Sequence, residues 1–260
     1  MTIDRDYQMV VQQIMRGGEE TETRNGKVVR SFYPFVIRCD SAPIVGWRKV
    51  NHHLGIREMD FFINDAECNL RNMDPSIRHW WEAFADEYGN LGYNYSLYYD
   101  DLGDLVDGLI NKPFSRRHVL STWNLADAIW QEGDGLLTNC HGTAIQFFVD
   151  SSKTLHLKMY QRSADVMLGL PYNLIQYWAL LEYVAYQTGN KVGTYSTILG
   201  DAHIYESHWE AAEELIRQRR VPNNEARLVY SPSEREFKAG DFKIEGEIEF
   251  PIKTKLKMEV

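Results

Sequence analysis

AIQFFVDSSKTLHLKMYQRSADVMLGLPYNLIQYWALLEYVAYQTGN, residues 144–190, is the stretch on which the fold turns. Two runs rich in β-branched and aromatic residues, AIQFFV and TLHLKMYQR, flank the polar turn DSSK, which is the pattern of a β-hairpin. A Gly-Leu-Pro turn follows. Behind it, LIQYWALLEYVAYQTGN is apolar around most of a helical circumference and ends near Gly189-Asn190. A helix of that kind has no polar face for water, so it reads as a buried central helix packed against a sheet.

Working outward, apolar residues at helical spacing from Asp4 to Met15 predict a helix that stops at Gly17 and Gly18. The polar stretch EETETRNGK that follows reads as a mobile loop around Asn25-Gly26. Val28 to Ile37 predicts a strand, while His53 to Ile63 and Ser76 to Tyr88 have helical spacing; GNLGYNYSLYY reads as a loop entering an aromatic segment. Strands and helices interleave without a strict βαβ rhythm, which favours a mixed α+β fold in one domain spanning residues 1–260. There is no internal repeat and no glycine-rich phosphate loop of the GxGxxG or GxxxxGK kind.

Composition narrows the function. The chain has 260 residues, 44% hydrophobic and 13% aromatic, enough to bury a sizeable core. A formal net charge of −9 opposes nonspecific attraction to nucleic acid or to an anionic membrane, so no stable nucleic-acid binding is expected, and any basic site must be a local cluster suited to a small anion. No stretch approaches the roughly 18 apolar residues of a membrane span, and the N-terminal MTIDRDYQMVV lacks a signal-peptide layout; a cytoplasmic protein is expected. Cys39, Cys68 and Cys140 are odd in number and without Cys-x-x-Cys spacing, which argues against a disulfide framework and a zinc site. His52 and His53 are adjacent and point in different directions from most backbones, so no metal is expected.

Cys140 sits in TNCHGTAIQFFV, directly before His141. A lone cysteine is ordinarily a small buried apolar residue. QRSADVMLGLPYN at 161–173 adds an arginine, a hydroxyl, a carboxylate and an asparagine around a turn at a helix N-terminus, a natural place to hold an anion or a polar ring. SRR at 115–117, WN at 123–124, CH at 140–141, QRSADVMLGLPYN, and GDAHIY at 200–205 occur in the order, and at nearly the spacing, of the thymidylate synthase family, which the chain resembles from Arg24 to its last residue. That resemblance implies a homodimer with a six-stranded mixed sheet at the interface packed against helices, each active site borrowing two arginines from the partner. It implies one-carbon transfer from 5,10-methylenetetrahydrofolate, a co-substrate, to carbon 5 of deoxyuridylate (dUMP).

By the same likeness Cys140 adds to carbon 6 and makes carbon 5 nucleophilic. Glu58 relays protons to the pyrimidine oxygen and the folate nitrogen, Tyr95 helps remove the carbon 5 proton, and His141 stands beside the nucleophile. Arg24, Arg162 and Ser163, with Arg116 and Arg117 from the partner, surround the phosphate; guanidiniums offer paired donors and stay charged. Asn173 reads the uracil edge, donating to oxygen 4 and accepting from nitrogen 3. His203 and Tyr205 hold the sugar hydroxyl, Asp165 binds the pterin, and Trp81, Leu137, Gly169, Tyr172 and the C-terminal Val260 line or close the folate slot.

The chain departs from the family at Asn139, where synthases have Pro, at Asn94 and Ser96 around Tyr95, at Tyr98-Tyr99-Asp100, and at Asp60. Three of these changes are expected to bring polar groups toward a pocket that methyl formation must keep dry. The phage deoxycytidylate hydroxymethylases, which let water add to the methylene, share the Arg-Glu-x-acid-aromatic-aromatic pattern around Glu58 but carry Asp where this chain has Asn173. The expectation is therefore a phage-type deoxyuridylate hydroxymethylase, with thymidylate synthase, favoured by the C-terminal FKIEGEIEFPIKTKLKMEV, as the alternative. A nucleotide-binding or message-binding regulator without catalysis is the reading from another class.

Overall fold

In the computed structural model the described residues are 3–23, 25–65, 67–92, 94–124 and 139–258. Arg24, Leu137 and Val260 lie outside them. The hairpin read from the sequence is β5 (Ala144–Val149) against β6 (Thr154–Asp165), antiparallel, with Asp150 closing the turn by accepting from Ser152 N at 2.8 Å and Thr154 N at 3.0 Å. The central helix α5 (Leu170–Thr188) then carries the chain to β7 (Lys191–Tyr205), which lies parallel to β6. Gly189 ends α5 at φ 66°, the left-handed conformation that releases the chain from a helix.

The sheet is larger than the six strands expected. Its path runs β1 (Glu19–Thr23), β2 (Gly26–Ser31), β7, β6, β5, β4 (Val119–Leu120), and β3 (Phe35–Cys39) pairs with β7 as a seventh strand. The seventh arises because the single strand expected over Val28–Ile37 is broken at Pro34. Proline offers no N–H to a ladder, and β7 is long enough for both pieces, pairing β2 over Ala202–Tyr205 and β3 over Tyr195–Leu199 on one edge. The segment expected as a loop at 19–27 pairs instead, with Thr23 opposite Gly26 at the closed end of the β1–β2 hairpin and Asn25 in the turn; its polar residues fit a strand because that edge is largely exposed.

Two helices expected from periodicity form over α1 (Ile3–Gly17) and α2 (His53–Asn64). The third, expected over Ser76–Tyr88, is only one turn, α3 (Pro75–Arg78). Asp86 accepts from Tyr88 N and Asn90 N, an Asx turn that competes with helix, and Gly89 at φ 80° completes the reversal. Beyond it lie α4 (Leu102–Asn111), α6 (Trp209–Arg217) and a small second sheet of β8 (Arg227–Tyr230) with β9 (Phe242–Glu245).

Alternation decides the layers. Leu155, Leu157 and Met159 of β6, Ile145 and Phe147 of β5, and Tyr195 and Leu199 of β7 are buried, as are Leu174, Ile175, Leu180, Leu181 and Val184 of α5. Each such side chain contributes roughly 1.5–3 kcal/mol through its loss from water. The opposite face of the sheet exposes Tyr160 of β6, Ile198 of β7, Val36 of β3 and Val119 of β4. Among the described residues no helix is long and apolar enough to cross a membrane.

Candidate active site

Cys140 ends the segment that enters β5, and Gly142 behind it adopts φ 66°. A Cβ at Gly142 would collide with the Tyr177 hydroxyl, so this close turn requires glycine. The Tyr95 hydroxyl accepts from two consecutive amides, Cys140 N at 2.6 Å and His141 N at 3.3 Å, and Ser163 N donates to Cys140 O at 3.2 Å. Asn139 donates through Nδ2 to Thr122 O at 2.8 Å, and Arg162 Nε donates to Asn139 O at 3.2 Å. The nucleophile loop is thus clamped by three other segments of the chain. Arg162 Nη2 stands 3.7 Å from Cys140 Sγ. Burial pushes the thiol above its ordinary value, and the Arg162 guanidinium opposes that shift. The expectation that Arg162 favours the thiolate holds for its direction; in the free chain burial outweighs it.

His141 is buried flat against Tyr95, ring centroids 4.4 Å apart, with Nδ1 2.9 Å from the Tyr177 hydroxyl. Burial pushes its imidazole down to about 3, so it is neutral at working pH. Cys39 and Cys68 are fully buried, leaving Cys140 as the half-buried thiol of the three.

Glu58 lies on the inner face of α2 and is buried. Trp81 Nε1 donates to one of its oxygens at 2.7 Å and Gln176 Nε2 to the other at 2.6 Å. Burial raises the carboxyl to about 7 against those two donors. Between its ordinary 4.5 and about 7 the folded chain holds a proton that the unfolded chain has released. Stability therefore falls as pH rises through that window. Glu58→Gln cannot ionise, so its stability relative to the parent is expected to improve by on the order of 2–3 kcal/mol between about pH 4.5 and about pH 7, measured by urea unfolding. Parallel stability curves for the two proteins would mean that Glu58 titrates like a surface carboxylate.

The amide chain continues past Glu58. Asn173 Nδ2 donates to Gln176 Oε1 at 3.0 Å, and Gln161 Nε2 donates to Asn173 Oδ1 at 2.9 Å and to Ser163 O at 3.0 Å. Trp81, Glu58, Gln176, Asn173 and Gln161 therefore form one directional row beside the Cys140 loop. Sequence reading missed Gln176 and Gln161. Gln176 lies three residues after Asn173 on one helix face, and that spacing was the available signal.

Ser163 follows Arg162 at the end of β6, and the Arg162 guanidinium lies 5.2 Å from the Trp123 ring. Arg116 and Arg117 are exposed in the loop before β4; among the described residues neither guanidinium makes a hydrogen bond or ion pair. His203 and Tyr205 end β7 with rings 5.2 Å apart and perpendicular. Asp165, paired with His203 in the β6–β7 register, accepts from Met167 N at 3.1 Å and Leu168 N at 3.0 Å, and so caps the turn that leads through Gly169 into α5. The indole beside Tyr172 is that of Trp80, at 4.9 Å, whereas Trp81 turns inward to Glu58.

The departures noted in the sequence fall differently from the expectation. Asp60, two residues beyond Glu58 and so on another helix face, accepts from Ala239 N and Asn64 Nδ2, both at 2.7 Å. Asn94 caps Ser96 N at 2.8 Å, and both side chains neighbour Cys68. Asn139 directly precedes the nucleophile, and its carbonyl accepts from Arg162 Nε. Among the described residues no group of three or more His, Cys, Asp or Glu is placed to hold a metal ion.

A thiol beside a guanidinium, a buried carboxyl that titrates near neutrality and an amide held in one orientation together suit a thiol enzyme acting on a polar, anionic ring compound. The family model of thymidylate synthase matches residues 5–260, and the chain belongs to that family. It is a pyrimidine nucleotide one-carbon transferase, of a family that methylates or hydroxymethylates carbon 5 of a deoxyuridylate-type nucleotide with methylenetetrahydrofolate as co-substrate.

Proposed function

We propose that this protein is a single-domain enzyme that transfers a one-carbon unit to carbon 5 of dUMP, and that its product is 5-hydroxymethyl-dUMP. The observation that carries the reading is the joining of Glu58 and Asn173 into one hydrogen-bonded row beside the Cys140 thiol. Cys140 adds to carbon 6 of the ring, and charge develops at oxygen 4, where the Asn173 amide donates. Arg162 and Ser163 hold the phosphate, while Arg162 also draws the thiol toward its nucleophilic form. His203 and Tyr205 hold the sugar. Tyr95, fixed to the Cys140 and His141 amides, sets the nucleophile's position and stands where the carbon 5 proton leaves. The folate, when bound, supplies the one-carbon unit as a methylene; Asp165, Gly169 and the Trp80–Tyr172 pair offer a carboxylate and aromatic faces suited to a pterin.

Support for the hydroxymethyl product comes from acceptors at the base end. Among the described residues Asn139 Oδ1 and Gln161 Oε1 are buried without a hydrogen-bond donor, and such oxygens hold water well. A methyl product is favoured by one observation, that the side chains of Asp60 and Asn94 are engaged by Ala239 N and Ser96 N. Incubation with dUMP and methylenetetrahydrofolate, followed by mass analysis of the nucleotide, is expected to give the hydroxymethyl mass. Thymidylate as sole product would transfer the reading to thymidylate synthase, and no product at all would leave a nucleotide-binding regulator.

The exposed sheet face with Tyr160, Ile198, Val36 and Val119 is the natural homodimer surface, and Arg116 and Arg117 at its margin then serve the partner's phosphate site. Mixing an Arg117→Ala chain with a Cys140→Ser chain is expected to restore one working site per mixed dimer. Absence of recovery, with subunit exchange shown by differential tagging, would place the whole site within one chain.

A further inference from the structure

His208, immediately before α6, is fully buried and meets three parts of the site at once. Its ring stands perpendicular to that of Tyr205, centroids 5.9 Å apart. Nδ1 faces Asp165 Oδ1 at 3.7 Å, the oxygen that already accepts from Met167 N and Leu168 N. Nε2 lies 2.7 Å from Lys257 O, in the C-terminal segment. That segment is anchored earlier by Ile252 N on Trp47 O at 3.0 Å and by Thr254 Oγ1 on Glu214 Oε2 at 2.9 Å; among the described residues the His208 contact is the next hydrogen bond along it. A carbonyl can only accept, so this contact places a proton on Nε2. In a ring with one proton, a lone pair on Nδ1 is then turned toward the carboxylate.

We propose that His208 is a positioning residue that couples folate binding to the docking of the C-terminal segment through the place of one ring proton. With the proton on Nε2 the segment is held at Lys257, and Asp165 receives no donor from the ring, so its acceptor capacity is left for the N–H groups of a pterin. With the segment released, the proton passes to Nδ1 and is given to Asp165, which weakens that carboxylate as an acceptor for a pterin. The two events therefore support one another, as linkage requires: folate on Asp165 favours the Nε2–H ring and a docked segment, and docking favours folate to the same extent. The proposal rests on the reading of Asp165 as the pterin carboxylate.

The test is calorimetry of methylenetetrahydrofolate binding to full-length Cys140→Ser protein saturated with dUMP, so that nothing turns over, with circular dichroism as a folding control. His208→Gln places its amide near the Nε2 position, where it can donate to Lys257 O; folate affinity is expected to stay within about threefold. His208→Asn places its amide near Nδ1, where it donates to Asp165 and falls short of Lys257. The folate dissociation constant is then expected to rise about tenfold or more, the size of one hydrogen bond to a charged group, while that of dUMP stays within about threefold. In a chain ending at Leu256, His208→Asn is expected to add less than about threefold, because its effect runs through the segment already removed. A merely structural role would weaken both ligands, make the two substitutions alike and add in full to the truncation, which overturns the proposal. Should His208→Asn fail to fold, isotope-edited NMR of the histidine nitrogens reads the ring without substitution at 208. A single proton that moves from Nε2 to Nδ1 on truncation is expected; protons on both nitrogens, or no movement, overturn the proposal. Unchanged folate affinity in Asp165→Asn would instead remove the pterin reading of Asp165, whatever the His208 variants do.

Discussion

Replacing Cys140 by serine is expected to lower kcat by at least about ten-thousandfold while the dissociation constant for dUMP changes by less than about threefold. The hydroxyl is nearly the size of the thiol, so the clamp around position 140 should survive: the Tyr95 hydroxyl holds backbone amides, and Ser163 N holds a backbone carbonyl. What is lost is nucleophilicity. A thiol whose value burial has raised can still be drawn down by the guanidinium 3.7 Å away, whereas a serine hydroxyl remains protonated under the same influence. The measurement is single-turnover product formation together with equilibrium nucleotide binding. Serine at 140 with activity near that of the parent would remove the covalent role.

Asn173→Asp is expected to shift kcat/KM toward deoxycytidylate over dUMP by a factor on the order of 100, about 3 kcal/mol, as buried donors and acceptors exchange partners. The surrounding row sharpens the argument. One oxygen of the new carboxyl accepts from Gln161 Nε2, but the other faces Gln176 Oε1, acceptor against acceptor. Relief requires a proton, held either on the new carboxyl or, if Gln176 turns, on Glu58, which already titrates at about 7. A protonated carboxyl can donate to the bare nitrogen 3 of cytosine and accept from its amino group, so the proton that relieves the row is the one cytosine recognition needs. Deoxycytidylate turnover in the variant should therefore decline as pH rises above neutrality, since each ionisation removes that donor. Both nucleotides are compared at saturating methylenetetrahydrofolate with products identified by mass. An unchanged ratio in the variant would mean that the base is read elsewhere.

Much of the fold was written in local patterns. The β5–β6 hairpin, α1, α2 and α5 were legible because alternation and helical periodicity report which face of a segment leaves water, and the turns at Asp150 and Gly189 carry their own chemistry. Local patterning was misleading where a neighbour intervened. Asn25-Gly26 was read as the tip of a loop because EETET has no apolar face, yet the strand forms by pairing with β2 at an exposed edge. Periodicity over 76–88 suggested a helix, but Asp86 takes the backbone amides of Tyr88 and Asn90.

The sequence by itself determined the class of fold and the family, because five separated motifs keep their order and spacing, and it singled out Cys140 as the candidate nucleophile. Tertiary structure alone decided how those residues act on one another. Glu58 comes from α2, Trp81 from the segment after α3, Gln161 from β6, and Asn173 and Gln176 from α5; no sequence pattern reports that these elements converge on one carboxylate. Tertiary packing likewise turned Asp60 toward Ala239, 179 residues away in the chain. Residue type fixes how many hydrogen bonds a side chain can give and accept; packing, by excluding water, fixes which of them it must make, and from that follow the direction of the amide row and the near-neutral value of Glu58.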